Sequence, residues 1–280
     1  MTNINKNNPL QIQSLGSSSA GNCTVIWSEQ SAVIIDFGFY PSMIKANLSK
    51  IGKSFSDISG ALITHTHTDH INRFALKTLI DNKIPIFCHE NLIEVIFRKL
   101  QSVLKPEDKN SFIPFNGRDF SIGSFDIHAF QVPHDSEGGC FGYNIFRESD
   151  SGVKKVSVST DMGYPEAPLI NAFTNSHAIV IESNHDTEML EKSNRPWFLK
   201  KRIKEIGHLS NDQCAQFLVE IFNNSDFLPD SVMLAHISQQ CNTNDIAEEC
   251  TRKALELNNF AKVKVLQTYK DKPSIAIKIY

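Results

Sequence analysis

After the apolar run Ala61-Leu62-Ile63 the chain reads His65-Thr66-His67-Thr68-Asp69-His70, which puts four potential metal ligands in six positions. Imidazole nitrogens and carboxylate oxygens suit zinc, manganese and iron, and three imidazoles crowded beside a carboxylate are hard to explain by folding alone. The competing reading is a polar loop that holds histidines by chance. A metal centre needs further ligands from elsewhere in the chain, so it constrains which loops the fold must bring together.

Such ligands stand at expected strand ends. His134 follows a strand at 126–131, Asp161 ends one at 155–160, and His236 ends one at 232–235. Loops at the rim of a sheet are where side chains distant in sequence converge. With the hexapeptide these give seven ligands from four loops, enough for two metals.

Periodicity supplies the frame. Short β-type runs at 10–15, 23–27 and 32–36 are divided by the turn Gly16-Ser-Ser-Ser-Ala-Gly21-Asn22 and by a second polar turn. A helix at 42–51, a strand at 60–63, a helix around 72–80, a strand at 84–88 and a helix at 92–103 follow. The middle is strand-rich, with runs at 119–122, 125–131, 140–146 and 153–159. Strands at 178–181, 232–234, 263–267 and 274–279 then alternate with helices at 197–206, 212–222 and 246–257. No linker or repeat divides the 280 residues, so one α/β domain is expected over 1–280, with residues 1–8 a polar, flexible tail. Turns between consecutive strands look too short for crossovers, which favours two sheets covered by helices over one doubly wound sheet.

Bulk composition excludes little. Hydrophobic residues make up 41% and charged residues 21%, as in a soluble globular protein. The formal net charge of −3 gives no global basic field to mark a nucleic-acid binder, although a local patch remains compatible with it. Six scattered cysteines form no Cys-x-x-Cys pair and read as reduced thiols. The N-terminus lacks a signal-peptide core and no apolar run spans a bilayer, so a cytoplasmic protein with no membrane partner is expected.

These motifs, in this order, resemble the metallo-β-lactamase superfamily of binuclear hydrolases, whose fold is a four-layer αββα sandwich. The resemblance spans nearly the whole chain: Asp36 after an early strand, His65-x-His67-x-Asp69-His70, His134, Asp161 and His236. It implies two divalent metal ions per chain, zinc or manganese, with iron accepted by the same donors. One would lie on His65, His67 and His134 and the second on Asp69, His70 and His236, with Asp161 bridging. Asp36 would be a carboxylate behind the ligands that orients them, or else a turn-forming Asp. Oxygen-reducing diiron members carry Glu where His67 stands, which favours hydrolysis here.

Gly207-His208-Leu209-Ser210-Asn211 is similar to a segment of the phosphodiesterase branch that includes tRNase Z, where the histidine faces the scissile phosphate. Ser210 or Asn211 is an ordinary helix cap, but a cap does not account for His208, which is expected to be catalytic beside Asp69. Leu15 to Cys23, Ile181-Glu182-Ser183-Asn184-His185-Asp186 and Leu234-Ala235-His236-Ile237-Ser238 resemble the YycJ-like (WalJ-like) single-domain branch. That branch implies a 5′-to-3′ exonuclease on DNA, in which a water held between the metals attacks phosphorus. Asn72-Arg73 departs from the branch's usual pair after the first motif, outside the ligand set. Glu182, Asn184 and His185 are expected behind the ligands or facing substrate.

Residues 195–204 mix Arg195, Lys200, Lys201, Arg202 and Lys204 with Trp197 and Phe198, which suits phosphates and stacked bases. The bland reading is an amphipathic helix with Phe198, Ile203 and Ile206 in the core. His89, His128 and His177 read as structural or surface residues. Two rival functions stand beside the nuclease: a small-molecule hydrolase of cyclic phosphates, thioesters or lactones, and a non-catalytic metal-binding regulatory protein.

Overall fold

The computed structural model describes residues 8–280, so all of the expected N-terminal tail but Asn8 lies outside the described residues. The chain runs through β1 (Leu10–Ser18), β2 (Gly21–Trp27), β3 (Ala32–Ile35), β4 (Gly60–Leu62), β5 (Ile86–His89) and β6 (Phe112–Phe115). It continues through β7 (Phe120–Ile122), β8 (Phe125–Val132), β9 (Cys140–Ser149), β10 (Gly152–Ser159), β11 (Ala178–Glu182), β12 (Ser231–Ala235) and β13 (Lys264–Gln267), and closes with β14 (Ile277–Ile279). One seven-stranded sheet has the order β14-β1-β2-β3-β4-β5-β6, and the other β13-β12-β11-β10-β9-β8-β7.

Each sheet is half antiparallel and half parallel. Within each sheet, short turns join consecutive strands only from β1 to β3 and from β7 to β10, which pair antiparallel. The neighbours from β3 to β6 and from β10 to β13 are parallel, and parallel pairing requires a crossover at every step. Crossovers in the first sheet carry α1 (Pro41–Lys50), α2 (Arg73–Asp81) and α3 (Glu90–Lys99). Those in the second carry α4 (Ala167–Phe173), α5 (Thr187–Lys192), α6 (Trp197–Arg202), α7 (Asn211–Asn223) and α8 (Asn244–Leu257). The expectation of short turns throughout is thus corrected, while the αββα layering it was used to support is what the chain adopts.

Strand alternation shows why the layers form. In β11 and β12, Ala178, Val180, Met233 and Ala235 face the core between the sheets. Ile179, Ile181, Val232 and Leu234 face the opposite way, onto Phe173 of α4 and Phe217 and Leu218 of α7. A strand apolar on both faces has to be covered on both. Helix starts follow ordinary capping: the Asn72 Oδ1 accepts from the Phe74 and Ala75 amides at 3.0 and 3.3 Å. Ser210 and Gln213 form a reciprocal capping box on α7.

Candidate metal centre

All the strands that lead to the expected ligands end at one rim, where mixed α/β sheets bind their ligands. Asp36 follows β3, residues 65–70 follow β4, Asp161 follows β10, Glu182 ends β11 and His236 follows β12. His134 follows β8, which runs in the same direction as β10 because both are antiparallel to β9. Asp36, Asp161 and His236 each adopt left-handed backbone, with φ of 57, 57 and 55°. That reversal breaks the extended strand at the position where its side chain enters the site.

Backbone contacts hold the ligand loop in place. The Phe37 amide donates to the His70 carbonyl at 2.9 Å, the Asn72 amide to the Phe37 carbonyl at 3.1 Å, and the Asn22 amide to the Asp69 carbonyl at 2.8 Å. Gly38 lies so close that a Cβ there would meet the Asp69 carbonyl oxygen at 1.8 Å. Only glycine fits this approach.

The donors form three neighbouring groups. His65, His67 and His134 make the first; Asp69, His70, Asp161 and His236 make the second; Asp161 and His236 recur with Glu182 and His208 in a third, and ligand atoms within each lie within 4.8 Å of one another. In the first, His134 Nε2 stands 3.2 Å from His67 Nδ1, and the three rings meet edge-on at centroid distances of 4.6 to 5.0 Å. In the second, His236 Nε2 is 3.1 Å from Asp69 Oδ2 and 3.4 Å from Asp161 Oδ1, and His70 Nε2 is 2.7 Å from Asp161 Oδ2. Asp161 Oδ1 also lies 3.9 Å from His134 Nε2, so this carboxylate stands between the groups.

The donor set fits divalent cations. His65 Nε2 is buried without a hydrogen-bond partner, and Asp161 Oδ2, close as it is to His70, is not aligned for a hydrogen bond. Buried polar atoms left this way are uncommon in a folded protein, and these two belong to the converging donors. Burial, with neighbouring imidazoles adding to it, holds His65 well below the usual histidine range and brings His67 to about 4, so both present neutral lone pairs. For His236, burial acts to lower the pKa, but Asp161, Asp69 and Glu182 outweigh it and lift the value to about 10. Asp69 is driven below its usual range despite burial, chiefly by His70 and then His236.

A ring of hydrogen bonds aims the ligands. Asp36 Oδ2 lies 2.6 Å from His70 Nδ1 and accepts from the Thr64 hydroxyl at 2.8 Å, while its Oδ1 accepts from the Thr64 amide at 2.9 Å. Glu182, fully buried, contacts His208 Nδ1 at 2.7 Å and His236 Nδ1 at 3.2 Å, and its other oxygen accepts from the Met162 amide at 2.7 Å. Asn184 donates to the His236 carbonyl at 2.8 Å. His134 Nδ1 is held by the Gly207 carbonyl at 2.8 Å. With Nδ1 fixed in this way, Nε2 is the nitrogen of each of these rings left for a metal or substrate.

His208 stacks on His236 with ring centroids 5.0 Å apart and keeps a fifth of its side chain exposed. It directly follows a π-helical turn, Ile203–Gly207, an irregularity common at functional sites. His185 is buried but joins none of the donor groups. His89 stacks on Phe141, His128 contacts Asp119 and His177 accepts from the Lys155 amide, so none of the three reaches the centre. Residues 197–206 depart from the amphipathic alternative: Ile203 is buried, but Phe198 is 69% exposed, Ile206 is 44% exposed and Trp197 is 74% exposed.

Several contributors have little signal in the sequence. Thr64 touches Asp36 and His65, and Ser17 accepts from the His236 amide at 2.7 Å while donating to Asn22. Their only sequence signal is position, beside the hexapeptide or within the Gly-Ser run. Gly38 carries none.

Comparison with known proteins places the fold in a family. The chain is 25% identical over 271 residues to the exodeoxyribonuclease YycJ of Bacillus anthracis, covering 96% of this chain and 98% of that protein. It is 28% identical over 237 residues to the exodeoxyribonuclease WalJ of Streptococcus pneumoniae, covering 83% of each. The crystal structure of the metallo-β-lactamase fold protein YhfI from Bacillus subtilis superposes with a TM-score of 0.68 at 18% identity, over 96% of this chain and 99% of that one. The family model described as Beta-lactamase superfamily domain matches residues 34–237, from the strand before Asp36 to just past His236. With the donors of both sheets meeting at one rim of that fold, the chain belongs to the β-lactamase superfamily and is a metal-dependent hydrolase.

Proposed function

We propose that the chain is a binuclear phosphodiesterase, a 5′-to-3′ exonuclease acting on DNA, built as one catalytic domain. His208 carries this reading. Its Nδ1 is fixed by Glu182 and its ring lies along His236, so its Nε2 is the nitrogen presented at the mouth of the donor cluster. A positioned imidazole donates a hydrogen bond or proton to a phosphate oxygen or leaving group. Exposed Trp197 and Phe198 on α6, five to six positions before the π-helical turn, with Lys201 over the Trp197 ring at 5.4 Å, offer stacking and charge to a strand. The names of the two curated relatives support the same substrate class.

In this reading His65, His67 and His134 hold one cation and Asp69, His70 and His236 a second, with Asp161 shared, zinc or manganese being the expected metals and iron compatible. Cations there would lower the pKa of a water and neutralise charge growing on the phosphate. Asp36, Glu182 and Asn184 keep the imidazoles aimed while that charge develops. Asp69, the more exposed carboxylate of the cluster, is placed to hold a water or to accept a proton from one.

The test is an assay of metal-loaded protein on 5′-phosphorylated single-stranded and duplex DNA, RNA, bis(p-nitrophenyl) phosphate and a thioester panel. Release of mononucleotides from the 5′ end of DNA is expected. Cleavage of thioesters alone would refute the proposal.

A further inference from the structure

Beside His208 lies a recess of about 100 Å³ that the proposed chemistry does not use. Its walls include Asn184, His185, Arg195, Arg202, His208 and Ser238. A single water needs roughly 10–15 Å³ of such space, so the recess has room for a group of several heavy atoms.

Two of its polar groups lack partners. His185 is 2% exposed and its Nδ1 makes no hydrogen bond, and Arg195 Nε is buried without an acceptor. Arg202 is paired with Asp135, whereas Arg195 makes no salt bridge among the described residues. A guanidinium nitrogen can only donate, so its burial without an acceptor points to a missing anion or acceptor. The carboxylates close enough to act on His185 are already engaged, Glu182 with His208, His236 and the Met162 amide, and Asp186 with the Met189 amide as the cap of α5. The hydroxyl-bearing Ser19 and Ser238 also line the recess, and Leu190, Leu199, Ile203 and Cys241 form its apolar wall.

We propose that this recess binds the terminal 5′-phosphate of the strand being degraded. The assignment rests on the nuclease reading and gives it a cause for end selection. His208 and Asn184 line the recess and also touch His236, the one by stacking and the other by donating to its carbonyl, so an anion held here is one side chain away from the phosphodiester being cut. Terminal and scissile phosphates in removal of a single nucleotide are consecutive phosphates of the strand. A phosphate monoester offers the planar Arg195 fork paired oxygens and gives His185 Nδ1 an acceptor. A strand with a 5′-hydroxyl leaves both groups unpaired.

Binding separates the possibilities. Metal-loaded protein is titrated with fluorescent single-stranded oligonucleotides whose first linkage is an uncleavable methylphosphonate, ending in either a 5′-phosphate or a 5′-hydroxyl. The 5′-phosphate should bind about tenfold to a hundredfold more tightly, the range for hydrogen bonds to a charged group. Arg195→Gln should bring the ratio of the two dissociation constants close to one. Ser238→Ala, which leaves the arginine in place, should reduce it severalfold, and inorganic phosphate should compete only with the 5′-phosphorylated strand. Equal affinity for both ends, or an Arg195→Gln protein weakened equally toward both, overturns the assignment while cleavage of ordinary DNA leaves the nuclease reading intact. Failure to bind or cleave either strand removes that reading and this proposal together.

Discussion

Asp36→Asn isolates the role of the carboxylate behind the metal cluster. Asn keeps the shape and, like Asp, tolerates the left-handed backbone at φ 57°, so the rim should survive. What changes is the contact 2.6 Å from His70 Nδ1. One amide cannot present acceptors to His70 Nδ1, the Thr64 amide and the Thr64 hydroxyl as the carboxylate does, and its NH₂ must face at least one donor. Loss of such a partner typically lowers metal affinity about 10–100-fold, or about 1.4–2.8 kcal/mol. The loss should fall on the group holding Asp69, His70, Asp161 and His236, while the three-histidine group feels it only through Thr64, 3.0 Å from His65 Nδ1. Zinc competition against a chromogenic chelator, with circular dichroism to check the fold, should resolve one weakened and one nearly unchanged class of site. Unchanged affinity at both, or weakening confined to the three-histidine group, would refute the reasoning.

His208→Ala should lower DNA hydrolysis about 10²–10⁴-fold with zinc content retained; because His208 Nδ1 also lies 3.4 Å from Asp161, loss of a metal equivalent would instead identify it as a ligand. Gly38→Ala drives a Cβ into the Asp69 carbonyl, a backbone atom that cannot swing aside, and should cost about 1–3 kcal/mol or more in urea unfolding together with loss of zinc. A stable, zinc-replete variant would contradict so close an approach of the two segments. Zinc binding should release protons at pH 7: burial opposes charge on His236, but Asp161, Asp69 and Glu182 raise it to about 10, and His70 is raised likewise despite burial by Asp161 and Asp36. A metal must displace those protons, so affinity should climb about tenfold per pH unit for each proton released, up to pH about 10, as read by calorimetry in buffers of different ionisation enthalpy. Proton-neutral binding would show that these histidines are already free.

Much of the site is legible in the sequence because metal ligation restricts residue type and spacing so strongly. His65 to His70, His134, Asp161 and His236 all stand in short patterns at strand ends, and all sit at one rim. Contacts that depend on approach are not legible: Thr64, Ser17 and Asn22 are ordinary polar residues until β1 and β2 are set beside the ligand loop. Among elements, β6, α4 and α5 give weak signals because they are short, and Pro114 argues against a strand until its edge position is known. Helical spacing places Phe198 and Ile206 with Ile203 in the core, but α6 has only six residues and ends in the π-helical turn, which changes the angular register that the spacing assumes. The parallel halves of both sheets are hidden for a related reason. Strand pairing direction is a long-range property, and an apolar run looks the same in either.

The least legible feature is also the one that couples fold to chemistry. Asp36, Asp161 and His236 come from three strands in two sheets, yet each leaves its strand in the same left-handed conformation. Neither aspartate nor histidine announces this, and each such residue costs of order 1 kcal/mol or more unless its surroundings hold it. Here they do: Asp36 is tied by its carboxylate to Thr64, and the His236 amide to the Ser17 hydroxyl, a contact from one sheet to the other. Backbone conformation therefore aims these side chains before any ligand arrives. A centre preorganised in this way should lose affinity rather than fold when one supporting hydrogen bond is removed, which is why Asp36→Asn separates the two so cleanly.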